Sequence, residues 1–308
     1  MKNFRIIFMG SPAIAKDYLQ DLVKNNFNVI GVFTQPPRAS GRGMNVKKSP
    51  VHEEAISLKI PFFCYDNLNN IDAVNTFKKL KCDIVIIMAY GILLPKKILE
   101  FPKYGCINIH LSLLPRWRGA SPVEHALING DKKSGVTIFK LIEKLDAGEI
   151  ISQDSFIVND EFNNEKLFKK LNDLGKKLLI TTLPDYFDNK IKLTKQSEQD
   201  STYAPKVTTL MRKIDFYESI LNVFNQIRAF SQKPGAWFIY KNERIKILSC
   251  EKKLCTSIPS TIINEKFHIG CKDGIILPTM VQREGKKPME INEFLKGFKF
   301  TIGHQINA

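Results

Sequence analysis

Cys106-Ile107-Asn108-Ile109-His110 is a short apolar run that reads as a strand, and its polar residues fall at every second place. Residues two apart on a strand point to the same side, so Asn108 and His110 share a face. They also close the run, and open α/β sheets place their sites at the C-terminal ends of strands. An amide beside an imidazole suits acyl transfer. The amide can hold a developing oxyanion, while an ordinary imidazole, titrating near pH ~6.5, can move a proton or stabilise charge. Taken alone the spacing is short and common, and a hydrogen-bonded structural histidine would share it.

Two other segments invite a chemical reading. Gly10-Ser11-Pro12 follows the first apolar run, but Pro12 and Ala15 stand where a dinucleotide fingerprint needs further glycines, so a nicotinamide cofactor is not expected. Ser11 as N-cap with Pro12 at the first helical position is the better reading. Gln35 to Pro50 carries Arg38, Arg42, Lys47 and Lys48 without an acid, among Gly41, Gly43 and three prolines. A solvated basic loop has this composition, and so does a phosphate contact.

The elements that must position these residues alternate in type. Strand-like runs at Phe4–Met9, Val29–Phe33, Asp83–Ala89, Cys106–His110 and Val136–Lys140 are interleaved with helical patterns. That alternation predicts an α/β fold, a Rossmann-like doubly wound, mostly parallel sheet. A long helix is expected over Phe162–Asn189, broken or ended at Pro184. The polar stretch around 196–208 reads as a linker. One helix then precedes short strands, including Arg244–Leu248, Ile258–Ile263 and Phe267–Cys271, which suggests a small barrel. The expected division is therefore 1–195 catalytic, 196–208 linker and 209–308 barrel.

Composition excludes several classes. The 308 residues are 44% hydrophobic and 25% charged, which rules out a disordered, collagen-like or disulfide-stapled chain. Six cysteines show no C-x-x-C pair and no zinc-like spacing, and read as buried free thiols in a reducing cytosol; no metal is expected. There is no signal-peptide pattern near Met1, and the longest uncharged apolar stretch, Ile84–Pro95, falls short of the ~18 residues a membrane span needs. A cytoplasmic monomer without a membrane partner is expected. The net charge of +15 permits a polyanionic partner. Residues 209–308 hold 16 Lys and Arg against 9 Asp and Glu, so the small domain is basic out of proportion to its size.

His110 is followed by Leu111-Ser112-Leu113-Leu114-Pro115-Arg116-Trp117-Arg118-Gly119-Ala120-Ser121-Pro122, and about 30 residues later by Leu145-Asp146-Ala147-Gly148. This combination resembles the folate-dependent formyltransferases, and among them most those acting on methionyl-tRNA. Ala89-Tyr90-Gly91-x-Leu93-Leu94-Pro95, Tyr203-Ala204-x-Lys206 and Gly285-Lys286-Lys287-Pro288-Met289 extend the resemblance over nearly the whole chain. It implies Asn108, His110 and Asp146 as catalytic residues. Without it, Asp146 is an ordinary turn aspartate. It also implies 10-formyltetrahydrofolate as co-substrate, lying against Tyr90, Gly91, Ile92, Leu93 and Leu94, with Ser112, Leu113, Leu114 and Pro115 opposite. Initiator methionyl-tRNA would be the acceptor, met by Arg38, Arg42, Lys47 and Lys48, and the C-terminal domain would be an OB-like barrel. Where the family pattern runs Asn-Pro-x-Pro, this chain has Ser231-Gln232-Lys233-Pro234, expected to be a local loop change.

Other functions fit less of the sequence. A glycinamide ribonucleotide formyltransferase lacks such a C-terminal domain, and a formyltetrahydrofolate hydrolase usually carries an N-terminal regulatory domain. A sugar-nucleotide N-formyltransferase is the nearest alternative, disfavoured by the basic loop and Arg116-Trp117-Arg118. A non-catalytic RNA-binding protein would have no use for the Asn108, His110 and Asp146 set.

Overall fold

The computed structural model describes residues 4–40 and 45–306, which form two compact units. The first comprises Met1–Arg118, Gly135–Ser155 and Leu171–Thr202; the second comprises Gly119–Ser134, Phe156–Lys170 and Tyr203–Ala308. Each is built around its own sheet.

In chain order the elements are β1 (Ile6–Gly10), α1 (Ala13–Lys24), β2 (Val29–Thr34), β3 (Arg38–Ser40), β4 (Asn45–Lys47), α2 (Pro50–Ser57), β5 (Phe62–Cys64), α3 (Ile71–Lys79), β6 (Ile84–Met88), α4 (Lys96–Leu99) and β7 (Cys106–His110). Then come α5 (Pro122–Ile128), β8 (Lys133–Lys140), β9 (Ile150–Ile157) and α6 (Asn164–Phe187). A seven-stranded sheet has the order β5-β2-β1-β6-β7-β8-β9. The pairs from β5 through to β7 are parallel, whereas β7 and β8 are antiparallel. This is the expected doubly wound, mostly parallel arrangement. β1 and β6 are buried along their whole length, as central parallel strands are, which is why they read as continuous apolar runs.

The remaining elements are α7 (Ile220–Ala229), β10 (Ala236–Tyr240), β11 (Glu243–Leu254), β12 (Ile269–Cys271), β13 (Gly274–Arg283), β14 (Met289–Glu290) and α8 (Ile291–Gly297). Their antiparallel sheet, ordered β10-β11-β13-β12 with β14 on β13, is a half-barrel. β11 is long enough to pair with both β10 and β13, and register shifts near Ser249 bend it between them. An aromatic core fills the concave side, with Phe267 and Phe300 stacked at 3.6 Å between centroids.

Four local expectations change. Ile258–Ile263 makes only isolated bridges, Thr261 with Gln305 and Ile262 with Ile269, because Pro259 and the left-handed Ser260 (φ 59°) interrupt it. α6 runs through Pro184 to Phe187, since Pro184 faces solvent near the helix end while Leu179, Leu183, Tyr186 and Phe187 stay buried. Ser11 does not cap α1. Its hydroxyl accepts from the Gln35 backbone N–H at 3.1 Å and donates to the Tyr90 carbonyl at 3.4 Å, tying together the segments that leave β2 and β6. Of the six thiols, Cys82, Cys106 and Cys271 are buried, but Cys255 is exposed. The loop carrying Ser231 and Lys233 is local: Gly235 N–H closes it onto the Phe230 carbonyl at 2.9 Å, and Trp237 follows in β10.

Gly175, in the middle of α6, faces the Tyr18 hydroxyl of α1, and a methyl group there would overlap that oxygen. Gly175→Ala is therefore expected to lose about 1–3 kcal/mol by overpacking, outweighing the ~1 kcal/mol alanine gains in a helix. Adding Tyr18→Phe should restore most of it, as read from urea unfolding midpoints.

Candidate active site

β7 sets two functional side chains on one face. Asn108 lies opposite Ile87 of β6 and Phe139 of β8, and His110 opposite Thr137 of β8. The Asn108 side chain is half-buried, and among the described residues nothing hydrogen-bonds its amide, so both N–H groups are free to donate. His110 is 6% exposed, its ring edge-on to Phe139 at 6.3 Å.

The His110 ring is held from both sides. Nε2 lies 2.8 Å from the Trp117 carbonyl oxygen. A carbonyl only accepts, so Nε2 carries a proton and donates it there. Nδ1 then faces Asp146, with Oδ2 at 3.8 Å. That is an ion-pair separation longer than a hydrogen bond, and closing by about 1 Å would make it one. Asp146 is 9% exposed. The structure thus brings together His110 and Asp146, 36 residues apart in sequence, and leaves Asn108 two positions back on the same strand face.

Asp146 sits in the loop 141–148, within the nine residues that separate β8 from β9. Its backbone is left-handed (φ 47°), a conformation aspartate tolerates better than most residues. The base of the loop is closed tightly. Lys140 N–H donates to the Glu149 carbonyl at 2.9 Å, and a Cβ on Gly148 would run into the Lys140 carbonyl. Ile142 and Leu145 are 48% and 54% exposed, whereas Asp146 turns inward.

Beside this loop lies a cavity of about 620 Å³, walled by Leu99, Cys106, Leu141 and Ile142 and by the chain at Ala147 and Gly148. Burial pushes the Cys106 thiol up, so it meets the cavity as a neutral group, while Glu100, Lys103, Lys140, Glu149 and Lys195 add charged side chains to the lining. Of these residues, Leu99, Leu141 and Ile142 fall in no motif of the sequence. The signal available was their adjacency to Asp146 and to the strand bearing His110.

The residues expected to meet folate lie outside the lining of that cavity. Tyr90 is 2% exposed and packs in the core with Phe33 and Phe77, while its carbonyl accepts from Gln35 Nε2 at 2.9 Å. Gly91 and Leu93 are exposed, Leu93 by 89%, with Ile92 and Leu94 half-buried. Ser112 to Pro115 form a tight turn. Ser112 Oγ donates to the Arg116 carbonyl at 2.6 Å, Leu114 N–H donates to Thr137 Oγ1 at 3.0 Å, and Gln153 Nε2 donates to the Leu114 carbonyl at 2.8 Å. This turn carries the chain from His110 to Trp117, whose carbonyl returns to the His110 ring.

The basic segment forms the ribbon of β3 and β4, in which Arg38 lies directly opposite Lys47. Both are exposed, as is Lys48, and Arg38 has one distant ion pair, to Asp66 at 3.9 Å. Arg42 lies outside the described residues. Like charges opposite each other cost a ribbon stability. Among the described residues no group of His, Cys, Asp or Glu is arranged to hold a metal ion, and no helix is long and apolar enough to cross a membrane.

The sequence matches the family described as formyl transferase over residues 2–183, and its C-terminal domain over residues 206–299. A methionyl-tRNA formyltransferase of Rickettsia prowazekii (strain Madrid E) is 41% identical over 295 residues, covering 95% of this chain and 96% of that protein. One from Wolbachia pipientis subsp. Culex pipiens (strain wPip) is 41% identical over 298 residues, covering 97% and 98%. Among solved structures, the sugar 3N-formyl transferase WlaRD superposes with a TM-score of 0.67 at 21% identity, over 93% of this chain and 100% of that one. HypX from Aquifex aeolicus, in complex with tetrahydrofolic acid, gives 0.65 at 17%, over 96% and 48%. At these identities the likeness is one of fold.

Because Gly148 has no room for a side chain, Gly148→Ala is expected to open the base of the 141–148 loop. Overpacking should destabilise the protein by about 1–3 kcal/mol. Hydrogen exchange should quicken in residues 141–148 and not in β1 or β6; uniform quickening would place the strain elsewhere.

Proposed function

The chain belongs to the formyl transferase family, and on that premise we propose that it passes the formyl group of 10-formyltetrahydrofolate to the α-amine of methionine on initiator tRNA. The observation that carries the chemistry is the buried His110–Asp146 pair on the same strand face as a free Asn108 amide. The choice of acceptor rests on near-full-length likeness to methionyl-tRNA formyltransferases at about 40% identity.

In this reading the amine attacks the formyl carbon directly. An ordinary α-amine titrates near ~8, so a neutral fraction is available at physiological pH. The tetrahedral intermediate carries an oxyanion and an ammonium. Asn108 donates an N–H to the oxyanion, in a site where fixed dipoles need no reorganisation. His110 Nε2 is committed to the Trp117 carbonyl, so proton traffic falls to Nδ1. Nδ1 takes the proton the amine loses and returns one to the folate nitrogen as its bond to the formyl carbon breaks. Asp146, facing Nδ1, stabilises the imidazolium between those two transfers. The pterin is assigned to the cavity beside Asp146, where the side chains of Leu99, Leu141 and Ile142 can hold its faces and polar groups of the lining can read its edge.

The tRNA reading draws on the ribbon. Opposed Arg38 and Lys47, with Lys48 beside them, are relieved of mutual repulsion by a phosphate backbone. Arg42 belongs to the same proposed contact. Residues 1–195 would carry catalysis, with 196–208 leading to the C-terminal domain at 209–308. The setting would be the cytoplasm and the active species a monomer.

The test offers charged initiator tRNA, charged elongator tRNA and an amino-sugar nucleotide with 10-formyltetrahydrofolate. Transfer to the first alone is expected; transfer to the sugar would replace this reading by the alternative. Asn108→Ala, His110→Ala and Asp146→Asn should each lower kcat on the order of 100- to 1,000-fold in folded protein. The Arg38→Ala/Lys47→Ala double variant should instead weaken tRNA use. It should also flatten the salt dependence of log(kcat/KM) by about 1–2 units of slope, leaving the KM for folate unchanged.

A further inference from the structure

Arg118 is fully buried, side chain included, and its guanidinium is spent inside the protein. Nε and Nη2 both donate to Gln196 Oε1, at 3.1 and 2.9 Å, and Nη1 donates to both oxygens of Glu198, at 3.1 and 3.2 Å. The double donation fixes the orientation of the Gln196 amide, because only its oxygen can face two N–H groups. Gln196 Nε2 is thereby turned to the 141–148 loop, where it donates to the carbonyls of Asp146 and Gly148, each at 2.8 Å. Both hydrogens of that NH2 group are used, one on either side of Ala147. Glu198 also takes Lys144 Nζ at 2.7 Å, a second tie to the same loop.

The neighbouring residue holds the other partner. Trp117 gives its carbonyl to His110 Nε2, and the backbone of 117 and 118 is itself pinned: Trp117 N–H donates to Thr202 Oγ1 at 2.9 Å, and Arg118 N–H to the Thr202 carbonyl at 2.8 Å. Two consecutive residues therefore reach both halves of the His110–Asp146 pair, one by a main-chain oxygen and one by a guanidinium acting through a glutamine. From this connectivity we propose that Trp117, Arg118 and Gln196 are positioning residues that set the separation of His110 Nδ1 from the Asp146 carboxylate. The proposal rests on the formyl transfer read above.

Gln196→Glu isolates the effect. A carboxylate in that place still accepts from Arg118 but cannot donate to the Asp146 and Gly148 carbonyls. In the formylation assay, Gln196→Glu is expected to lower kcat by about 10- to 100-fold, the scale of a misplaced catalytic group. The KM for aminoacyl-tRNA should stay near that of the parent protein, whereas the thermal midpoint should fall, because two carbonyls lose their donor and face a carboxylate instead. Arg118→Lys, which keeps a charge but loses the fork, should behave alike. The decisive measurement is a double-mutant cycle: if Gln196 acts through Asp146, adding Gln196→Glu to Asp146→Asn costs nothing further. Unchanged kcat, losses that multiply in the double variant, or failure of both single variants to fold would each overturn the proposal. Inactivity of the unmodified protein would count against the proposed reaction instead.

Discussion

Because β8 runs antiparallel to β7, the chain leaves β8 at the far end of the strand pair from His110. Lys140 lies opposite Ile107, three residues before His110, so Asp146 has to be carried back by roughly 10 Å at ~3.3 Å per residue. A parallel crossover would deliver a following loop to the strand's C-terminal end without this detour. Here the loop doubles back toward His110, and that return makes the cavity beside Asp146, between the loop and the chain entering β7. The pair and the cavity are thus two consequences of one reversal. The closed base at Lys140, Gly148 and Glu149 keeps the excursion short.

A loop that doubles back in this way has few backbone partners of its own, and the protein supplies them from 50 residues further on. Gln196 and Glu198 can serve because Arg118 holds them, and Arg118 must be held because a buried guanidinium without acceptors would be strongly unfavourable. The requirement runs both ways: the buried cation selects its acceptors, and the acceptors complete the loop. Glu198 is the exposed end of this arrangement. The hydrogen bond from Lys144, and after it that from Arg118, hold its carboxyl below the usual range. Its contribution is present at neutral pH and is lost as the pH falls through that lowered value. The Gln196 ties carry no such dependence, since an amide does not titrate.

Periodicity exposed what depends on period. Alternation placed Asn108 and His110 on one face, and the unbroken apolar runs at Ile6–Gly10 and Ile84–Met88 are buried on both faces as central strands must be. Elements whose character is set by distant partners were harder to see. β9 is exposed or half-buried at most positions and so lacks a run, while Pro184 is tolerated by a stripe of buried neighbours that a local rule does not weigh. Ser11 and Ser121 both precede a proline, but only Ser121 stands at the N-cap of its helix, and its side chain makes no capping hydrogen bond; Ser121 Oγ instead accepts from the Val207 N–H at 3.4 Å. Gln196 looked like linker because its two roles are fixed by a guanidinium 78 residues earlier and by carbonyls 48 and 50 residues earlier. Sequence spacing carries no trace of such links. Asp146 became legible only through the resemblance, for a left-handed aspartate before Ala-Gly is locally an ordinary turn.

The excess of positive charge takes on a different meaning against this background. In the first unit three cations close to Asp146 and His110 are already engaged: Arg118 and Lys144 share Glu198, and the Arg116 guanidinium stacks on the Trp117 ring at 4.2 Å. These charges are structural, and a polyanion could take them only by dismantling the arrangement around Asp146. Arg38 and Lys47 are the opposite case, exposed and set against each other across a two-stranded ribbon. Solvent and salt keep that repulsion small, so the ribbon persists, with the exposed 3.9 Å pair of Arg38 with Asp66 as a weak offset. A net charge of +15 therefore overstates what is available for binding and conceals how it is divided. The part that can answer to a phosphate backbone is the part the fold has left exposed.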